Sequence, residues 1–391
     1  MSVMPKKKAT AKRASKSPAS LLLFADTHKS ADQLYVGGFN VPDAFLSFKK
    51  GRKWYALLNQ LEYARALKES RFDEVLQLEA WLEQTREKFQ RAKVGYAELV
   101  ATIASVFEIG SFKVPADFPS ALAFKLVELG VEIDVCDGSI FPSREIKTED
   151  ELAMIREGNR CSAKGIRAAE KAIRRSVVKQ GKLYLDEKLL TSERLRSIIE
   201  VACLEAGSLS MDTIAAGGDQ ACDPHCAGHG PLRANELIIV DVFPRVSKTG
   251  YYGDMTRTFL KGKASEAQKG IVDAVFKAQQ GAIKKVKTGV NGKDVHGFVL
   301  DTFSSLGYET RRTDSGAEGF IHGTGHGLGL EVHEAPRVSI VSNKLRRNAV
   351  VTIEPGLYYP GVGGCRIEDV VAVRDDGAEM LSNCHYRWQL R

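Results

Sequence analysis

A chain of 391 residues, 43% hydrophobic and 27% charged, can bury a large core and is expected to form two soluble globular domains. The formal charge of +7 is not a nucleic-acid signature of the folded body, because Lys6, Lys7, Lys8, Lys12, Arg13 and Lys16 all lie in residues 1–18 and leave the remainder close to neutral. No apolar run is long enough to span a bilayer, and the seven cysteines are odd in number and scattered, so we expect a cytoplasmic protein in a reducing compartment, with no membrane partner.

Residues 1–18, basic and rich in Ala, Ser and Lys, lack apolar anchors and are expected to be a disordered tail. From 19 to 145 short apolar runs alternate with amphipathic stretches, the pattern of an α/β domain. Strands are expected at 21–25, 53–58, 111–114 and 131–135, and helices at 60–68, 73–90, 96–107 and 119–129. This half has a single histidine and no convincing acidic site, which suits a structural, oligomeric or substrate-restricting role.

A boundary falls near Phe141–Lys147, and Thr148-Glu-Asp-Glu151 has the spacing of a capping box. A long helix should run from there to about 176, and a second from about 191 to 206. Strands are expected at 237–243 and 251–260. Ser265 should cap a helix whose Ile271, Val275, Ala278, Ala282 and Val286 share one face. A shorter helix at 294–306 and strands at 350–357 and 365–373 complete residues 146–391 as an α+β domain.

Chemistry concentrates in this second half. Phe320-Ile-His-Gly-Thr-Gly-His-Gly-Leu-Gly-Leu-Glu-Val-His-Glu334 holds three of the chain's eight histidines, His322, His326 and His333. Its glycines argue for extended backbone, in which His322 and His326 face the same way. The segment 237–259 reads as a hairpin that brings Asp241 and Asp254 to nearly opposite positions. Residues 350–370 repeat the arrangement with Glu354 and Glu368, at nearly the same spacing, which hints at an internal repeat. A zinc knuckle at Cys222-Asp-Pro-His-Cys-Ala-Gly-His229 is a weaker reading, since structural zinc usually joins two separated ligand pairs; His225 is expected to face a substrate instead.

Four carboxylates and an imidazole converging in an apolar core need cations to stay ionised. Two divalent ions suit them. Oxygen-rich ligation favours Mn²⁺, with Co²⁺, Zn²⁺ or Fe²⁺ as substitutes, and paired ions are suited to hydrolysis of an unactivated amide.

Asp241, Asp254 with Thr256-Arg-Thr258, His322-Gly-Thr-Gly-His326, Val332-His333, Ile353-Glu-Pro-Gly356 and Arg366-Ile-Glu368 resemble the signature of the pita-bread metallopeptidases, which include the methionine aminopeptidases and whose fold creatinase shares without metal. The resemblance is strongest to aminopeptidase P and Xaa-Pro dipeptidase (prolidase). It implies a creatinase-like α/β N-terminal domain followed by an α+β pita-bread catalytic domain. It also implies an enzyme, a homodimer, whose metal-bridging hydroxide cleaves Xaa-Pro bonds in a peptide substrate with proline second. Asp241, Asp254, His326, Glu354 and Glu368 would be the metal ligands. Glu354 would also handle the proton. His225, His322 and His333 would contact the substrate, with His322 and His333 stabilising the tetrahedral intermediate, and Arg366 would orient the bridging network. The segment Asp241-Val-Phe-Pro-Arg245 is bulkier than the family's usual hairpin, which bears on substrate preference. The alternatives are a non-catalytic peptide-binding scaffold of the same fold and an aminopeptidase without proline specificity.

Overall fold

A computed structural model describes residues 19–313 and 316–390. The basic tail expected at 1–18 lies outside them. The chain divides into two compact units between Pro142 and Ser143.

The first unit is built on one mixed sheet. Its elements are β1 (Ser20–Ala25), α1 (Ala31–Gly37), β2 (Phe45–Lys50), β3 (Lys53–Leu58), α2 (Gln60–Glu69), β4 (Glu74–Gln77), α3 (Leu78–Phe89), α4 (Tyr96–Val106), β5 (Ser111–Val114), α5 (Ser120–Glu128) and β6 (Glu132–Val135). The strand order is β4-β3-β2-β1-β5-β6. β1, β2 and β3 form an antiparallel meander, and β4, β5 and β6 join in parallel. Leu22, Phe48, Leu57 and Phe112 from the sheet pack with Leu99, Val100 and Ile103 of α4. The helix expected at 73–90 begins later, because Glu74–Gln77 pairs with β3 as a strand. β2 and α1 went unread in the sequence, since Phe45-Leu-Ser-Phe-Lys-Lys50 has no clean two-residue alternation and α1 is only two turns long.

The second unit repeats one plan: a helix pair backing a small sheet. Helices α6 (Glu149–Arg175) and α7 (Ser192–Glu205) share a core with the strands Ile214–Gly217, Ile238–Asp241 and Thr256–Lys261. Helices α8 (Glu266–Lys285) and α9 (Gly292–Ser305) share another with Val350–Ile353 and Asp369–Val373. Both expected capping boxes form, Thr148 with Glu151 and Ser265 with Gln268, each contributing about 1 kcal/mol. The predicted apolar face of α8 is buried along its length, Ile271, Val275, Ala278 and Ala282 included.

The two layers are stitched where the first hairpin meets the second. The Glu368 amide donates to the Thr256 carbonyl at 3.1 Å, and the Arg366 amide to Thr258 Oγ1 at 3.1 Å.

Candidate metal centre

Register decides which side chains meet. Asp241 pairs with Thr256, and the ladder continues through Val242–Met255 and Arg245–Tyr252. Asp254 therefore lies opposite Phe243 rather than Asp241, two residues further along than the sequence suggested. The sequence reading missed by two because it placed the turn by composition alone. A shift of two keeps the face, so Asp241, Asp254 and Thr256 still project the same way. In the second hairpin Ile353 pairs with Asp369 and Gly356 with Arg366, so Glu354 does stand opposite Glu368, and Thr352 and Arg366 share their face.

The histidine-rich stretch is less extended than expected. Before Glu334 only Gly325–Gly327 is strand, its pairing with Glu334–Val338 shifts register between Gly325 and Gly327, and irregular backbone follows through 328–333. Its glycines serve close approach: a Cβ on Gly325 would fall 1.8 Å from the Thr352 carbonyl oxygen, and one on Gly327 would fall 2.2 Å from that of Ala335. The same device sets Asp254 from the other side. A Cβ on Gly158 of α6 would lie 2.5 Å from the Gly253 nitrogen, and the neighbouring Asn159 Oδ1 accepts the Asp254 amide at 3.2 Å.

All nine predicted site residues line one cavity of about 720 Å³: Asp241, Asp254, His326, Glu354, Glu368, His225, His322, His333 and Arg366. Ligating atoms of Asp254, His326 and Glu368 lie within 4.8 Å of one another, the one such group among the described residues. His326 Nε2 stands 3.3 Å from Glu354 Oε1 and 3.8 Å from Asp254 Oδ2. Asp241 completes the wall. Cys222 and Cys226, members of the weaker zinc reading, do not join the group.

The donors fit divalent cations. The Gly327 carbonyl, 3.1 Å from His326 Nδ1, can only accept, so it fixes the proton on Nδ1 and turns the Nε2 lone pair toward the carboxylates. Asp241 Oδ1 is buried and has no hydrogen-bond partner. Arg337 and Asp212 also line the cavity, and the guanidinium that meets the four site carboxylates by hydrogen bonding is that of Arg366, on Asp241. Burial, and then the charges of Asp241 and Glu354, push the Asp254 carboxyl well above its ordinary range. Burial with the charges of Asp254 and Glu354 does the same to Glu368, and burial also raises Glu354. Cations would remove that penalty. Burial lowers His322 and His326, and desolvation with the neighbouring His326 lowers His333, whose side chain remains partly open to solvent.

Arg366 organises the site's second layer. Its Nη2 donates to Asp241 Oδ2 at 2.8 Å, Nη1 to the Tyr358 hydroxyl at 2.9 Å and Nε to Thr256 Oγ1 at 3.3 Å. Thr256 Oγ1 donates onward to Glu368 Oε2 at 2.7 Å. His322 Nδ1 donates to the Gly323 carbonyl at 2.7 Å, which leaves Nε2 to accept the Tyr358 hydroxyl at 2.7 Å. Both nitrogens of His322 are thus engaged within the protein. The rings of His225 and His333 make no hydrogen bond among the described residues, and His333 stands edge-on to His326 with ring centroids 4.4 Å apart. Sequence reasoning missed Tyr358 and Thr352, and gave Thr256 no role beyond its place in the signature. Two-residue alternation from Asp254, Glu354 and Arg366 would have pointed to them.

Comparison with known proteins places the chain in a family and a fold. Residues 153–375 match the model of metallopeptidase family M24. An uncharacterized peptidase of Staphylococcus epidermidis is 36% identical over 249 residues, 63% of this chain and 65% of that protein, so the match spans just under two thirds of the relative. Among solved structures, the X-Pro aminopeptidase of Thermotoga maritima superposes with a TM-score of 0.78 at 22% identity, over 95% of this chain and 97% of that one. The Xaa-Pro dipeptidase of Bacillus anthracis gives 0.79 at 24%, over 95% of each. The two-part fold expected from the resemblance is shared with both. With the signature residues around one cavity and the family model matching more than half of its length, the chain belongs to metallopeptidase family M24.

Proposed function

We propose that the protein is a dinuclear metal-dependent exopeptidase that hydrolyses Xaa-Pro bonds. The observation that carries the proposal is His326 Nε2 standing 3.3 Å from Glu354 Oε1 and 3.8 Å from Asp254 Oδ2, beside an unpartnered Asp241 oxygen. Asp241, Asp254, His326, Glu354 and Glu368 would hold two divalent cations, Mn²⁺ by preference for an oxygen-rich set. When bound, the cations supply an activated water and polarise the scissile carbonyl.

The chain's own groups do the rest. Glu354 Oε1 is occupied by Thr352 Oγ1 at 3.2 Å, which leaves Oε2 to take a proton and deliver it to the leaving proline nitrogen. His225 and His333 face the cavity with ring nitrogens available to a peptide, as donors toward the oxygen that gains charge. Arg366 and Tyr358 hold Asp241 and His322 in place. Phe243, Ile321 and Val332 supply the apolar wall that a pyrrolidine ring needs. The names of the two structural neighbours, both Xaa-Pro peptidases, support the substrate class. A cytoplasmic homodimer is the accompanying proposal. No helix among the described residues is long and apolar enough to cross a membrane.

Incubating Mn²⁺-loaded protein with Xaa-Pro dipeptides and Xaa-Pro-Yaa tripeptides tests the reading and separates dipeptidase from aminopeptidase action. Cleavage of neither by protein of verified metal content would refute it. Turnover of tripeptides lacking proline would favour an aminopeptidase without proline specificity, and peptide binding without products would favour a scaffold.

A further inference from the structure

Directly behind the cavity lies a second, wholly buried ion pair. Arg257 follows Thr256 and Asp369 follows Glu368, so alternation sends both side chains away from the cavity. They meet there, Arg257 Nη2 to Asp369 Oδ1 at 2.8 Å. Arg257 Nη1 also donates to the backbone carbonyls of Thr256 at 2.9 Å and Glu368 at 2.6 Å, gripping both hairpins at the residues that face the site.

The C-terminal segment completes this pair. The carbonyls of Cys384 and His385 accept from Arg257 at 3.0 and 3.1 Å, and its guanidinium lies 4.6 Å from the centre of the Tyr386 ring. Asp369 accepts from Ser382 Oγ and the Tyr386 hydroxyl, each at 2.8 Å, and from Gln279 Nε2 at 2.8 Å. The segment is itself tied down. Arg167 of α6 donates to the Asn383 carbonyl at 3.0 Å, His385 Nε2 meets Glu170 at 3.0 Å, and Gln389–Leu390 pairs in parallel with Leu260 and Lys261.

Desolvating an arginine and an aspartate is costly, and well-packed apolar residues would often serve stability as well. A use for the pair is positional. Its contacts fix the backbone of Thr256 and Glu368, and the Thr256 hydroxyl fixes the Glu368 carboxylate. We propose that Ser382–Tyr386 is a positioning strap for the metal centre, acting through Arg257 and Asp369 to hold the Glu368 carboxylate where a cation needs it. The proposal rests on the metallopeptidase reading. It makes Arg257, Asp369 and Tyr386 positioning residues that touch neither metal nor substrate.

The test strips the 391-residue protein of metal, titrates it with MnCl₂ while free Mn²⁺ is read by electron paramagnetic resonance, and measures the melting temperature of the metal-free protein in parallel. Tyr386→Phe keeps the ring over Arg257 and deletes only the hydroxyl. Arg257→Lys keeps the charge and loses the fork. Support is an affinity for Mn²⁺ weakened roughly 10- to 100-fold in Arg257→Lys, the range for groups that orient ligands, and by a smaller factor in Tyr386→Phe. Parental Mn²⁺ affinity in both variants, with or without a lower melting temperature, shows a purely structural role and overturns the proposal. If Arg257→Lys does not fold, Tyr386→Phe decides alone, parental affinity overturning and weakened affinity supporting. A parent protein that binds neither Mn²⁺ nor, in parallel titrations, Co²⁺, Zn²⁺ or Fe²⁺ overturns the dinuclear-metal reading first, and this proposal with it.

Discussion

Arg366 holds Asp241 by one oxygen only: Nη2 meets Oδ2 at 2.8 Å, while Oδ1 stays buried with no hydrogen-bond partner. A carboxylate gripped on one side and bare on the other is poised to bind a cation. Asp241→Asn should lose at least one equivalent of metal, because an amide that keeps its oxygen on Arg366 turns an N–H₂ toward the cavity. Asp254→Ala, which removes an oxygen from the tight group with His326 and Glu368, should abolish occupancy altogether. Elemental analysis after desalting decides both, and two retained equivalents in Asp254→Ala would contradict its assignment.

The Tyr358 hydroxyl bridges Arg366 and His322. Tyr358→Phe should leave a buried His322 nitrogen and an Arg366 N–H without partners, a cost of about 1–3 kcal/mol. If that loss falls on the working geometry, kcat/KM drops roughly tenfold to a hundredfold on Xaa-Pro peptides. Parental kinetics in a folded Tyr358→Phe would show that His322 needs no orienting partner.

Resident cations should appear as thermal stability. A ligand present at 100 times its Kd adds about 2.7 kcal/mol, and for a unit of this size each kcal/mol moves Tm by about 2–4 °C. Chelation should therefore lower the calorimetric Tm by about 5–10 °C, and added Mn²⁺ should restore it. A melt indifferent to chelator would argue against bound ions.

Glu334 anchors the turn that carries His333. Its carboxylate accepts from Arg144 and from Lys147 Nζ, the latter at 2.8 Å. Burial pushes this carboxyl up, but Lys147 and Arg144 outweigh it and hold it below its ordinary value. A folded-state pKa below the unfolded one stabilises fully above about pH 4.3 and ceases to do so as pH falls through the folded value. Glu334→Gln should destabilise by about 3 kcal/mol at pH 7. Urea melts at several pH values should show the gap to the parent narrowing below about pH 4, and a pH-independent gap would mean that packing, not charge, is responsible.

Much of this was readable beforehand, and the reasons are specific. Glu354 and Glu368 were placed opposite each other because Gly361, at positive φ, marks the turn of a regular hairpin. Asp241 and Asp254 were misaligned by two because Phe243-Pro-Arg-Val-Ser-Lys-Thr-Gly250 offers several turn positions and only the hydrogen bonds choose among them. Tyr358 was hidden in Leu357-Tyr-Tyr359, where an aromatic reads as core, and it is fully buried. Arg257 and Asp369 flank recognisable positions, yet their partners come from Ser382–Tyr386 and Gln279, far along the chain, where no local pattern can reach.

The contact between Gly158 and Gly253 limits how this centre can be remodelled. Helix and loop touch there backbone to backbone, so even a methyl group at either position must push α6 and the Asp254 segment apart. Redesign of the chamber therefore has almost no freedom where α6 meets the Asp254 segment. Gly158→Ala would sooner unseat the first acidic hairpin than widen the chamber.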